Sequence, residues 1–446
     1  MDVREAIRTQ PIRGLQWRAI IICLVLTMID GFEILVMAFV APHLAKAWSL
    51  SQVQVGYLLS SGVFGMAAGA MLLSPLADRI GRRKHVILCL SFITAGMFLS
   101  AFADSVLEMV VYRAGAGLFI GALVATLNIT VAEYCSDARR GVMMGVYGIG
   151  LPLGAAIGGA ISSVLIAQYG WRAPFVFGAL IAGVMLVVVI FWLPESISYL
   201  VEKRPRGALE AYNRIADKLG YPQAAALPAP MAKGRQQVAW KTIFSGVVGQ
   251  RTTYLWLAFA LLTGAFYFAN SWTAKLIADA TGDPAMGVRA GVMVPLGGVA
   301  GALLFALMSA WARPRLATVA VMFGGAAASW IYASNFQNAS LALALAFMVG
   351  VFANGGMAAY YAISPGVYPA AVRAAGVGWM IAFGRLVSIA TPIMTGYLLA
   401  AGWKPAETYK LFAVVLIAAG IACVLLDRTY RGRSENPETP EAPALA

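Results

Sequence analysis

Twelve long apolar runs separated by short polar connections constrain this chain more than any other feature. They fall at about residues 18–42, 56–77, 85–103, 108–132, 142–167, 172–193, 252–275, 288–311, 316–334, 340–363, 374–401 and 406–427. Each is near the ~20 residues a helix needs to cross a bilayer. In lipid the backbone must satisfy its hydrogen bonds within each segment, so such runs are read as helices. The sequence therefore predicts an all-α membrane protein with twelve transmembrane helices. Composition agrees: 60% of the 446 residues are hydrophobic and 12% are charged. That charge content is about half that of a soluble domain, which excludes a soluble enzyme, a disordered chain and a disulfide scaffold. Cys23, Cys89, Cys135 and Cys423 show no CxxC spacing, and His43 and His85 are the only histidines, so no metal site and no cofactor is expected. Residues 1–16 are polar and basic and the run that follows is long enough to span, so the first run is expected to stay as an anchor.

The net charge of +13 is read as topology, with no call for nucleic acid. With the N-terminus inside, 25 Lys and Arg fall in inner segments, six fall outside, and Arg113 and Arg385 fall within spans. Both termini are therefore expected to be cytoplasmic, in a multi-pass protein of the plasma (inner) membrane.

The longest connection, 194–251, divides the chain into bundles at 1–193 and 252–433, with a disordered Pro/Glu/Ala-rich tail at 434–446. Within the connection, Ala208 to Leu219 is amphipathic and is expected to lie on the membrane surface. The halves echo each other weakly at an offset of 235 residues, Ser74 matching Ser309 and Gly141 matching Gly376. Two six-helix pseudo-repeats follow, an arrangement that holds substrate near the bilayer midplane.

Leu76-Ala-Asp78-Arg79-Ile-Gly81-Arg82-Arg83-Lys84, between the second and third spans, resembles the signature loop of the major facilitator superfamily. Arg113-Ala-Gly-Ala-Gly117 resembles that family's Arg-x-x-x-Gly pattern, and Glu133 through Arg139, Arg140 and Gly141 resembles the acidic-then-basic end of the same helix. The resemblance implies the major facilitator fold. It also implies a gating charge network of Asp78, Arg79, Arg82, Arg83, Glu133, Arg139 and Arg140, with Arg373 as its second-half member. Ser74 stands where the family usually has Gly.

Asp30 and Glu33 lie in the middle of the first span, where each ionisable group costs at least about 2.5–3.5 kcal/mol on insertion scales. At i and i+3 they share one helical face. Two carboxylates in one low-dielectric site favour proton uptake, which makes the pair a proton-coupling candidate. A static ion pair with Arg113 or Arg385 is the alternative, and a switchable pair combines the two. Gly31 between them lets a helix or ligand approach the backbone. Asp30-Gly31-Phe32-Glu33 looks like the first-span Asp-Gly-x-Asp motif of the aromatic acid:proton symporter family, with Glu33 for the second Asp. Leu193-Pro-Glu-Ser196, Asn270-Ser-Trp272, Tyr368-Pro369 and Gly384-Arg385 are similar to that family's segments. Ala274 and Met357 depart from it where proline and Gln are usual. Gly148-Ile-Gly-Leu151-Pro152 in span five only partly resembles the Gly-Pro motif of drug:proton antiporters.

Arg385 lies about a dozen residues into span eleven, where its guanidinium can bind a carboxylate bidentately. Arg113 is a second substrate-binding candidate. Phe32, Phe266, Tyr267, Asn270, Trp272, Tyr360, Tyr361, Trp379 and Phe383 are candidates for the wall around it. The expected function is proton-coupled import of an organic acid anion, aromatic such as a benzoate or hydroxybenzoate, by alternating access. Alternatives are a dicarboxylate or muconate-like substrate, drug:proton antiport, and a transporter-like receptor. The expected partners are the anion, protons and the lipid bilayer, with the protein monomeric.

Overall fold

The computed structural model describes residues 2–229, 240–336 and 338–430. The expected tail at 434–446 and residues 230–239 of the central connection lie outside the described residues.

Among the described residues, twelve helices are long and apolar enough to cross a membrane. These first to twelfth spans are Gly14–Ala47, Gln52–Ile80, Arg82–Ala101, Val106–Tyr134, Arg140–Tyr169, Ala173–Trp192, Gly246–Thr281, Pro284–Trp311, Pro314–Ser334, Leu341–Val367, Ala375–Ala400 and Pro405–Arg428. Each overlaps one run read from the sequence. The first and seventh, at 34 and 36 residues, are the most extended, because helix continues past the apolar stretch into polar flanks. Pro42, Pro152, Pro295 and Pro392 sit inside spans, and each removes one backbone donor from its helix.

The residues form two compact units, Met1–Val36 with Ser61–Gly234, and Met37–Ser60 with Arg235–Ala446. This partition differs from the bundles expected at 1–193 and 252–433, because residues 37–60 group with the second unit. Within that unit the Ser60 hydroxyl donates to the Ile389 carbonyl at 2.8 Å, and the Tyr57 and Tyr397 hydroxyls are 2.8 Å apart.

In the first unit, spans one and five pack backbone to backbone. A Cβ at Gly31 would lie 2.0 Å from the Leu151 carbonyl oxygen, and one at Gly154 would lie 1.9 Å from that of Met28. Small residues permit such close approach where lipid supplies no hydrophobic drive. Three short helices cover the N-terminal face of this unit: Val3–Thr9, Ile197–Lys203 and Ala208–Lys218. The last corresponds to the amphipathic stretch expected on the membrane surface. Its Tyr212, Ile215 and Ala216 are instead buried by protein, so that face has no need of lipid. Tyr212 Oη accepts from Val3 N at 3.0 Å and donates to Asp2 at 3.1 Å, which ties the N-terminal helix to it.

Candidate functional site

Asp30 and Glu33 are 1% and 0% exposed in the first unit. Among the described residues, Asp30 Oδ2 and both Glu33 carboxylate oxygens have no hydrogen-bond partner. The glycine between them is required by span five, whose Leu151 backbone occupies the space a side chain would take. Arg113, 1% exposed, is a buried cation beside Glu33. Its Nη2 donates to the Glu33 backbone carbonyl and its Nη1 contacts Met97 Sδ at 2.9 Å. The Phe175 ring lies 5.8 Å from its guanidinium carbon. No carboxylate oxygen comes within ion-pair distance of Arg113 among the described residues, although Glu33 is its electrostatic neighbour. The arrangement is a guanidinium beside an acid, with the guanidinium committed to the acid's own backbone. Phe32 lines the same helix but packs inward, edge-on to Phe177 at 5.8 Å and against Gly158.

On the N-terminal face of this unit the signature-loop residues form a network. Gly81 turns the chain with φ +100°, a value glycine reaches without strain. Arg82 Nη1 then lies 2.9 Å from Glu133 Oε1, and its Nη2 lies 3.6 Å from Asp78. Ser196 completes it by donating to Glu133 at 2.6 Å and accepting from Arg82 at 2.7 Å. Glu195 accepts from the backbone of Arg83 at 3.0 Å. Arg79 offers its carbonyl to the Tyr199 hydroxyl at 3.4 Å. Arg140 pairs with Asp137 at 2.8 Å, which also holds Arg8 at 3.0 Å, while Arg139 is exposed. Glu195, Ser196 and Asp137 were not among the residues singled out for this role. Leu193-Pro-Glu-Ser196 and the segment Glu133 to Gly141, which holds Asp137, carried the sequence signal, each as a resemblance without a contact.

In the second unit Arg385 Nη1 donates to Tyr267 Oη at 2.8 Å. Tyr361 is a second electrostatic neighbour, and no carboxylate pairs with Arg385 among the described residues. Phe266 stands edge-on to Tyr267 at 5.2 Å. Asn270 is buried and donates to the Phe266 carbonyl at 2.9 Å. Trp272 and Tyr360 are fully buried, Trp272 donating to the Pro392 carbonyl at 3.1 Å and Tyr360 packing on Phe259 at 5.9 Å. Trp379, Tyr361 and Phe383 are exposed. Arg373 is exposed, with Nε 3.4 Å from the Tyr368 carbonyl. A different cluster stands out in this unit: Arg315 pairs with Asp427 at 3.2 Å, and Arg251 and Arg315 both lie over the Tyr430 ring, at 3.6 and 3.8 Å. A cavity of about 580 Å³ in the second unit is lined by Gln52, Asp279, Phe336, Trp403 and Lys404 and shares no residue with the Arg385 cluster.

Comparisons with known proteins bear on the family and the fold. A family model described as Major Facilitator Superfamily matches residues 21–343. The 4-hydroxybenzoate transporter PcaK of Pseudomonas aeruginosa is 30% identical over 443 residues, covering 96% of this chain and 95% of its own. The gallate transporter of Pseudomonas putida is 28% identical over 426 residues, covering 95% and 94%. Among solved structures, the xylose transporter XylE from E. coli, in a partially occluded inward-open conformation, superposes with a TM-score of 0.69 at 16% identity, over 92% of this chain and 97% of that one.

Proposed function

We propose a function from one premise: the chain belongs to the major facilitator superfamily and is a multi-pass membrane transporter. It imports an aromatic acid anion, of the benzoate or hydroxybenzoate class, together with protons. Both termini are cytoplasmic and the membrane is the inner one. The substrate class is supported by the relatives, which are named for 4-hydroxybenzoate and gallate, and by the chemistry of Arg385. A guanidinium with a tyrosine on one edge and no carboxylate partner among the described residues is suited to bind an acid bidentately, with aromatic rings beside it to stack on the substrate.

The observation that carries proton coupling is the pair of buried carboxyl groups, three of whose four oxygens have no hydrogen-bond partner among the described residues. A buried carboxylate left unpaired is far more costly than a neutral carboxyl, so protonation relieves the strain of burial. Arg113 supplies the switch. With Glu33 neutral, its guanidinium rests on the Glu33 carbonyl and Met97. With Glu33 ionised, the same guanidinium is drawn to the carboxylate, and spans one and four shift their bonding together. Asp30 and Glu33 take protons from outside, the anion binds at Arg385, and alternating access delivers both. The network of Arg82, Glu133 and Ser196 is a set of contacts that must rearrange as the cytoplasmic side opens.

Proteoliposomes with an imposed inward proton gradient test this reading. Asp30→Asn and Glu33→Gln are expected to abolish gradient-driven accumulation of 4-hydroxybenzoate while leaving a folded protein. Wild-type accumulation by both variants overturns the assignment.

A further inference from the structure

A second buried titratable group lies in the first unit, outside the acidic pair. His85 is 0% exposed, one turn into span three. Its Nε2 is 3.1 Å from the Leu73 carbonyl oxygen. A carbonyl only accepts, so Nε2 carries a hydrogen and donates it. Its Nδ1 is 2.9 Å from Thr126 Oγ1 in span four, and that oxygen is also 3.1 Å from the Ala122 carbonyl. The threonine thus has one hydrogen and two places to send it. Pointed at Nδ1, it satisfies a neutral imidazole. Pointed at the Ala122 carbonyl, it leaves Oγ1 to accept from Nδ1–H, and the ring is then a fully bonded cation. The imidazole can gain or lose a proton by rotation of one hydroxyl, with every heavy atom in place.

The surroundings favour a role in proton movement over a fixed ion pair. Among the described residues no carboxylate or cation lies within ion-pair distance of the ring. Span two and span four present it only a carbonyl and a hydroxyl. On its own helix, Arg82 is engaged with Glu133 and Asp78, Lys84 is exposed, and Arg83 donates to the Ile190 carbonyl. Cys89, one turn further in, has its Sγ 3.8 Å from both ring nitrogens. His85 stands at the start of span three, directly after the signature loop, whereas the buried acid Asp30 lies in the middle of span one.

We propose that His85, with Thr126, is the inward proton station of the cycle: it accepts the proton that Asp30 gives up and passes it to the cytoplasm. The proposal rests on the symport reading above. The Asp30 carboxyl loses a proton to a water, and that water hands a proton to Thr126 Oγ1 as the hydroxyl hydrogen moves to Nδ1. On release Nδ1 returns its hydrogen to Thr126 Oγ1 as Oγ1 gives its own hydrogen to a water open to the cytoplasm, which leaves a neutral ring and a neutral hydroxyl. One proton enters and one leaves.

Net uptake and counterflow separate the roles, because counterflow exchange of substrate needs no deprotonation. With 4-hydroxybenzoate as probe, His85→Gln is expected to lower gradient-driven uptake by about tenfold or more and to keep counterflow within about twofold. Thr126→Val is expected to follow it, and Thr126→Ser to restore uptake. Wild-type net uptake by H85Q, or equal loss of uptake and counterflow in the folded protein, overturns the proposal. A substrate-independent readout uses the fact that the chain has two histidines. In an H43Q background, NMR of labelled histidine reports His85 alone. It should show an Nδ1-unprotonated ring giving way to a doubly protonated one as pH falls, at a midpoint that moves in D30N. A single neutral tautomer from about pH 5 to 8 overturns the proposal. Wild-type protein that moves the probe without protons, or not at all, defeats the symport reading instead, and the NMR result still decides the station.

Discussion

Replacing Arg385 separates a substrate-binding arginine from a structural one, because the two roles predict opposite effects on the empty protein. Its hydrogen bond to Tyr267 at 2.8 Å fixes its guanidinium, and among the described residues no carboxylate balances its charge. Truncating one partner of a buried, hydrogen-bonded charge pair costs about 2–5 kcal/mol of binding, or roughly 30- to 4,000-fold in Kd. Arg385→Met is expected to fall in that range for 4-hydroxybenzoate. Arg385→Lys keeps the charge but loses the planar fork, and is expected to weaken binding by about 2–3 kcal/mol, some 30- to 160-fold. Tyr267→Phe removes one bond to a charged group, worth about 1.5–3 kcal/mol, and is expected to cost roughly 13- to 160-fold. Isothermal titration calorimetry on detergent-solubilised protein gives the Kd values. The apo protein supplies the discriminating measurement: Arg385 is half-buried and has no carboxylate partner among the described residues, so it adds little to folding and the Tm of R385M without ligand should equal or exceed the wild-type value. Lysine binding as tightly as arginine would refute the reasoning. So would a large fall in the apo Tm of R385M, which would make Arg385 a structural residue.

Two further outcomes follow from contacts elsewhere in the first unit. Gly154→Leu forces side-chain atoms into the Met28 backbone and should destabilise by at least about 1–3 kcal/mol, read as a lowered Tm. Gly141→Ala, which would meet nothing within 4 Å, should leave the Tm unchanged. Asp2 is pushed up by partial burial but held below its ordinary value overall, by hydrogen bonds and charge from Arg4. A depressed carboxyl stabilises the folded state above its unfolded value near 4 and loses that stabilisation as pH falls through the lower, folded one. Release of the helix Val3–Thr9 from Tyr212 is therefore expected below about pH 4, and labelling of a cysteine placed at Thr9 measures it; labelling that does not change between about pH 7 and 3 would refute it.

The spans were legible because hydropathy over about 20 residues is a local property, and lipid enforces it segment by segment. The acidic pair was legible for the same reason, since Asp30 and Glu33 stand out against an apolar run. The rotation of each helix about its axis was not. In water a helix shows its core face by periodicity, but a span is apolar on every side, so that signal vanishes. Phe32, Trp272 and Tyr360 read as candidates for a substrate wall, and the structure packs all three among helices. Arg113 likewise turned inward to the Glu33 carbonyl. Contacts between distant segments were also out of reach: nothing at Ser196 announces that it bonds both Arg82 and Glu133. Nor did the sequence single out His85, whose significance depends on which oxygens surround it.

The central claim, import of an aromatic acid with protons, is tested most directly by following both species in one preparation. Wild-type protein in vesicles loaded with a pH-sensitive dye is given labelled 4-hydroxybenzoate at a matched starting pH. Substrate entry should acidify the lumen, and an imposed inward proton gradient should drive accumulation above equilibrium. Entry of the acid with no acidification, or with alkalinisation, would contradict the account.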